Sequence, residues 1–100
     1  ACPGQAAIAA PLLTVAAHGK RLGVPINYGE FGVGRQHNQA DRDSDVVREY
    51  YKAIAQTTLS SDMSATAWDD RGWFRLVETK PDGSYQFSAG IIPAMLRTKP

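Results

Sequence analysis

Glu30 is the residue of this sequence best placed to do chemistry. It closes a short apolar run that starts at Val24, with Gly29 and Gly32 on either side and Gly34 just beyond. Glycine permits tight turns and close approach of a ligand. A carboxylate at the C-terminal tip of a buried strand stands where a parallel α/β barrel keeps its reactive groups. The other readings of Glu30 are a cap for the following helix and an ion-pair partner for a nearby arginine.

A second candidate group lies downstream. Ser64 to Trp68 is a short run of small residues ending in an indole, followed by Asp69 and Asp70, and then by Gly72-Trp73-Phe74. Cutting a glycosidic bond takes two carboxylates. One attacks or stabilises the anomeric carbon, and the other donates a proton, at about 5–5.5 Å separation in the retaining geometry. It also takes an aromatic face on which sugar C–H bonds can pack. Glu30 supplies one carboxylate and Trp68 the face, although Trp68 reads equally well as a core indole. Asp69 and Asp70 read first as solvated loop residues and only second as a proton donor. No His, Cys and carboxylate spacing resembles a metal-ligand set, so neither metal nor cofactor is expected.

These residues need elements to hold them. Gln5 to Leu22 reads as a helix, with Ile8, Leu12, Val15 and Leu22 on one stripe and Gly19 in the same line. Lys20 and Arg21 suit its C-terminal turn, Gly23 its cap, and Pro25 prevents continuation. Pro11 either kinks this helix or marks its true start. Val24 to Glu30 then reads as a strand whose alternation places Ile26, Tyr28 and Glu30 on one face, with Asn27 toward the helices. Phe31 to Asp43 reads as a polar loop containing Arg35 and His37, the latter first as a solvated loop residue.

Ser44 or Asp45, with Asp41 and Asp43 nearby, suits the N-terminus of a second helix running to about Leu59. Val47, Tyr50, Tyr51 and Ile54 form its apolar face, where the tyrosines read as packing. Ser60 to Met63 turns the chain. Ser64 to Trp68 is a second strand, with Ser64, Thr66 and Trp68 on one face. Leu76 to Thr79 and Ser84 to Phe87 flank the turn signal Pro81-Asp82-Gly83 and suggest a small hairpin outside the main sheet. Ile91 to Arg97 reads as a final short helix with Pro93 in its first turn. Helix alternating with strand argues for a parallel sheet and an α/β fold.

Length and composition bound the answer. One hundred residues, 43% hydrophobic with mixed charge, describe one ordinary folded unit. A net charge of +1 suggests neither nucleic acid nor an anionic membrane as partner. The apolar stretch Ala6 to Ala17 is too short and Ala-rich to span a bilayer, and no basic segment precedes it as in a signal peptide. A mature secreted protein would look the same. The single Cys2 reads as a free thiol or a half-cystine whose partner is elsewhere.

Pro25-Ile26-Asn27-Tyr28-Gly29-Glu30-Phe31-Gly32-Val33 resembles the nucleophile segment of glycoside hydrolase family 5, the cellulase-type endoglucanases and mannanases. Ala65-Thr66-Ala67-Trp68-Asp69 with Gly72-Trp73-Phe74 resembles that family's last barrel strand and its loop, and the helices before, between and after fit in order. The resemblance implies that Glu30 is the nucleophile of a retaining double displacement on a β-linked polysaccharide. It implies a sugar platform from Trp68, and secretion; Tyr28 and Trp73 are further candidate substrate-binding residues. It also exposes a departure. The family's acid/base Glu, in an Asn-Glu-Pro run, has no match, and neither do the Arg, His and His-x-Tyr segments of earlier strands. A (β/α)8 TIM barrel takes about 250 residues, so the chain resembles its C-terminal part, about two βα units in the order α-β-α-β-α, over residues 1–100. Two parallel strands leave both edges open. The expected partner is therefore the remaining barrel portion or further copies of the chain, and the isolated chain is expected to be inactive. The rival expectation is a non-catalytic carbohydrate-binding or assembly fragment. The choice between glucan and mannan is open, because the residues that read the sugar 2-hydroxyl mostly lie elsewhere in that family.

Overall fold

The computed structural model describes residues 5–35, 45–70 and 72–96. Cys2, His37, Asp41, Asp43, the candidate cap Ser44 and Arg97 lie outside the described residues. The elements run α1 (Gln5–Leu22), β1 (Asn27–Phe31), α2 (Asp45–Ser60), β2 (Ser64–Ala67), β3 (Val77–Thr79), β4 (Tyr85–Phe87) and α3 (Ile91–Leu96).

Helix α1 continues through Pro11 from Gln5, so the helix does not start at Pro11. Pro11 lacks the N–H that the carbonyl of Ala7 would receive. Ala7 is exposed, so water can take that carbonyl. The expected stripe is corrected in part. Leu12 and Gly19 are buried and Ile8 half-buried, but Val15 and Leu22 are exposed. Ile8, Val15 and Leu22 repeat at intervals of seven, and a straight helix drifts by about 20° per heptad. The packed face is therefore centred on Ile8, Leu12, Ala16 and Gly19. A Cβ on Gly19 would collide with the Ile26 side chain, so this glycine admits the chain entering β1 rather than another helix. The helix ends in a Schellman motif. Gly23, at φ 69°, donates to the Lys20 carbonyl at 3.2 Å and Val24 to that of Gly19 at 3.0 Å.

Strands β1 and β2 pair in parallel, as the alternation of elements predicts. Strand β1 begins and ends later than expected, at Asn27 and Phe31. Phe31, placed by the sequence reading in a loop, is its buried last residue. The register steps between Tyr28 and Glu30, so that Asn27 faces Ser64, Tyr28 faces Ala65, Glu30 faces Thr66 and Phe31 faces Ala67. Gly29 is the extra residue of a bulge. The bulge corrects the expected faces. Asn27, Glu30, Ser64 and Thr66 are exposed, while Tyr28, Ala65 and Ala67 are half-buried against the core. Tyr28 thus belongs with the helix side and Glu30 with the open side. Asn27 does not face the helices either: its Oδ1 accepts the Ser64 hydroxyl at 2.8 Å across the strands.

Helix α2 links the two strands and carries the centre of the core. Val47, Tyr51 and Ile54 are buried along it and pack with Leu12, Phe31, Met63, Leu76 and Ile91. Its C-terminus repeats the Schellman pattern. Asp62, at φ 58°, donates to Leu59 at 3.4 Å and Met63 to Thr58 at 2.8 Å, which turns buried Met63 into the core ahead of β2. Strands β3 and β4 form an antiparallel hairpin in a sheet of their own. Its turn is built as the sequence predicts, with Gly83 at φ 88° and Asp82 Oδ1 accepting the Ser84 amide at 2.9 Å and hydroxyl at 2.6 Å. Those hydrogen bonds hold the Asp82 carboxyl below its usual pKa. Helix α3 then packs on α2 through Ile91.

Candidate active-site cleft

The C-terminal ends of β1 and β2 open into a cleft of about 420 Å³ lined by Tyr28, Glu30, Phe31, Gly32, Tyr50, Trp68 and Phe74. Each of these residues arrives by a different route. The bulge delivers Glu30 to the open side of the sheet. Trp68 follows the last residue of β2, and its amide donates to the Phe31 carbonyl at 2.9 Å, so the parallel ladder continues up to the indole. Trp68 is 43% exposed, so it is not buried within this chain's own core.

The back wall is aromatic. Tyr28 lies 6.1 Å from Phe31, Phe31 lies 5.6 Å from Tyr51, and Tyr50 meets Tyr51 edge-on at 5.9 Å, measured between ring centroids. These tilted and T-shaped pairs are the arrangements aromatic quadrupoles favour. Burial, then the neighbouring Tyr28 and Tyr51, pushes the Tyr50 phenol above its ordinary pKa. Tyr51 is fully buried, and its hydroxyl accepts the Val33 amide at 2.9 Å, tying the loop after β1 to α2.

The loop after β2 is organised by Asp70. Its Oδ1 accepts the amides of Gly72 at 2.7 Å and Phe74 at 3.1 Å, folding the loop back so that Phe74 covers Gly32 and Gly34. A Cβ at Gly32 would stand 3.0 Å from Phe74 Cδ1 and 3.2 Å from the Tyr51 hydroxyl. That glycine makes room for close packing of the wall. Asp70 is therefore a loop organiser. Glu30 is the carboxylate that lines the cleft among the described residues.

The structure thus brings Glu30, Trp68 and Tyr28 together. It does not bring Trp73: that residue is 59% exposed and, among the described residues, is outside the cleft lining. Tyr50 packs against the core as the sequence reading expects but also lines the cleft, and Phe74 is a lining residue that reading did not single out. Phe74 sits in a segment already marked by its aromatic and glycine density, and that density was the usable signal. Nothing in the sequence around Tyr50 separates it from buried Tyr51. Arg35, in the segment read as a polar loop, is also buried, at 3% exposure.

No protein-family model and no curated protein matches this chain. A solved structure does: a hyperthermophilic endo-β-1,4-glucanase in complex with substrate superimposes with a TM-score of 0.72 at 18% identity. The chain has a glucanase-like fold. The match covers 92% of this chain and 27% of that one, so the chain spans about a quarter of the glucanase's length. In this chain the parallel strand pair carries the cleft at its C-terminal end, where open α/β sheets bind their ligands. No helix among the described residues is long and apolar enough to cross a membrane, and among them no cluster of His, Cys, Asp and Glu is set to hold a metal ion.

Proposed function

We propose that this chain is the C-terminal part of a family 5-type (β/α)8 glycoside hydrolase, and that Glu30 is its nucleophile on a β-linked polysaccharide of the β-1,4-glucan class. The observation that carries this reading is Glu30 exposed at the end of a parallel strand, in one cleft with the half-exposed Trp68, in a glucanase-like fold. Chemically, a Glu30 carboxylate oxygen attacks the anomeric carbon as the bond to the leaving oxygen breaks, giving a glycosyl ester. Water then cleaves the ester with a second inversion, so configuration is retained. Trp68 stacks on the sugar at the cleavage subsite, Tyr28 walls that subsite, and Trp73 contacts the glycan farther out. The proton for a sugar leaving group comes from a carboxyl on the remaining barrel portion, which also covers the open edges of β1 and β2. By the same family likeness the protein is secreted and uses no cofactor.

A fluorinated β-cellobioside with an activated phenolate leaving group needs no acid, so it tests Glu30 in this chain directly. The expected result is a mass increase of one glycosyl unit on the peptide containing Glu30, absent in Glu30→Gln, with no turnover of polysaccharide. Label that persists in Glu30→Gln, or no label at all, would remove Glu30 from the mechanism. The second reading, a non-catalytic carbohydrate-binding or assembly fragment, is favoured by the lack of a second cleft carboxylate among the described residues. It predicts oligosaccharide binding that quenches Trp68 or Trp73 fluorescence without any covalent label.

A further inference from the structure

Arg35 is an unusual residue to bury. A guanidinium stays charged at any ordinary pH, and taking it out of water is costly unless its donors are used. The structure shows where two of its three side-chain nitrogens go. Nε donates to the Val33 carbonyl at 3.2 Å, and Nη2 donates to the Arg75 carbonyl. The backbone amide of the same residue donates to the Trp73 carbonyl at 2.9 Å. Val33 belongs to the loop that leaves β1 just after Glu30. Trp73 and Arg75 belong to the loop that leaves β2 after Trp68. One residue therefore spans two loops that both contribute to the cleft, through Gly32 of the first and Phe74 of the second. Phe74 sits between its two anchor points on the second loop and packs onto Gly32 and Gly34 of the first.

The neighbouring contacts make each loop firm on its own. Tyr51 accepts the Val33 amide, Asp70 gathers Gly72 and Phe74, and the Arg75 side chain donates to the Gly72 carbonyl at 3.3 Å and pairs with Glu78 at 3.3 Å. What these contacts do not do is join the second loop to the first by hydrogen bonds. Arg35 does. The planar fork presents donors in two fixed directions at once, which a lysine ammonium on a flexible stem cannot match.

We infer that Arg35 is a positioning residue for this cleft: its buried guanidinium and amide clasp the Glu30 loop to the Trp68–Phe74 loop and set the distance between the carboxylate and the aromatic wall. The inference rests on the proposed glycosidase reading for its chemical consequence, though the clasp itself is a statement about two loops. Arg35 does not line the cleft and is given no contact with the sugar.

The test uses the 100-residue chain, with Arg35→Lys as the conservative variant and Arg35→Ala for rescue by added guanidinium. Two readouts are taken: the rate at which the fluorinated β-cellobioside labels Glu30, and amide hydrogen exchange along the chain. In Arg35→Lys, labelling is expected to slow by about 10- to 100-fold, the scale on which small misplacements act. Exchange is expected to quicken at residues 32–35 and 72–75, while α2 and the β3–β4 hairpin keep their protection. Guanidinium is expected to restore the labelling rate of Arg35→Ala in part. Wild-type chain that labels, with variants labelling equally fast, overturns the clasp and leaves the glycosidase reading intact. Wild-type chain that does not label sinks the glycosidase reading, and the exchange pattern then decides the clasp by itself: faster exchange confined to the two loops supports it, and unchanged exchange overturns it. Global unfolding of Arg35→Lys would make Arg35 a residue of general stability and also overturn the assignment.

Discussion

The two sheets among the described residues are built on opposite principles. The β3–β4 hairpin closes over itself: Val77–Thr79 and Tyr85–Phe87 pair across a turn in which Asp82, Gly83 and Ser84 satisfy one another. Even its side-chain links are local, with Glu78 accepting from Gln86 at 3.3 Å and from Ser88 at 3.1 Å. The β1–β2 pair has no such means. Its partners are 37 residues apart in sequence, as Asn27 and Ser64 show. They meet only because α2 crosses between them and buries Tyr51 and Ile54 against Phe31 and Met63. Local closure costs little loop entropy, whereas a parallel pairing must be held by a core. The cleft stands on the second kind of sheet, so its geometry depends on packing at a distance.

That contrast can be broken most severely from α2. Ile54→Ala removes a fully packed side chain from under the parallel pair and is expected to cost about 2–5 kcal/mol, read as a lowered denaturation midpoint. Loss of β1–β2 amide protection ahead of the hairpin is the expected pattern. Simultaneous loss would show that the two sheets share one cooperative unit. Tyr51→Phe is milder. It leaves the ring in place and deprives the Val33 amide of its acceptor, for about 1–3 kcal/mol. Faster exchange at Val33, with the ring contacts intact, is its signature.

The smallest effect is expected in the hairpin. Asp82→Ala removes the acceptor for Ser84 and should loosen the turn while leaving the Glu30 cleft unchanged. The depressed Asp82 pKa gives a sign to check. The folded carboxyl ionises more readily than the unfolded one, so its contribution is present above the ordinary carboxylate range. It is lost as the pH falls through the folded pKa. Hairpin protection in the native chain should decline on acidification, and Asp82→Ala should flatten that dependence. An unchanged pH profile would show that the Ser84 hydrogen bonds contribute nothing to the turn.

Legibility followed the same division. The whole of α1 and its Gly23 cap, the extent of α2 to within a residue or so, and the hairpin with its turn were readable, because each depends on signals within a few positions. The faces of β1 were not. Gly29 looked like one more flexible residue beside a carboxylate, and alternation carried Tyr28 and Glu30 to the same side. The bulge that separates them arises from pairing with β2, which no local pattern around Gly29 announces. Arg35 read as part of a polar loop, since its carbonyl partners Val33 and Arg75 become neighbours only after both strands are in place.

From the sequence alone came the α/β alternation, the parallel pair, the separate hairpin, and Glu30 and Trp68 as residues at strand ends. Those follow from hydrophobic period, caps and turn chemistry, which act over one or two turns of chain. Tertiary structure alone decided that Glu30 reaches the open side of the sheet and that Trp68 lines the cleft outside this chain's own core. It also decided that Asp70 organises a loop, that Gly32 makes room for Phe74, and that Tyr50 lines the same cleft as Glu30. Each of these is settled by which side chains compete for the same space across distant segments, and packing, unlike periodicity, has no short-range record in the sequence.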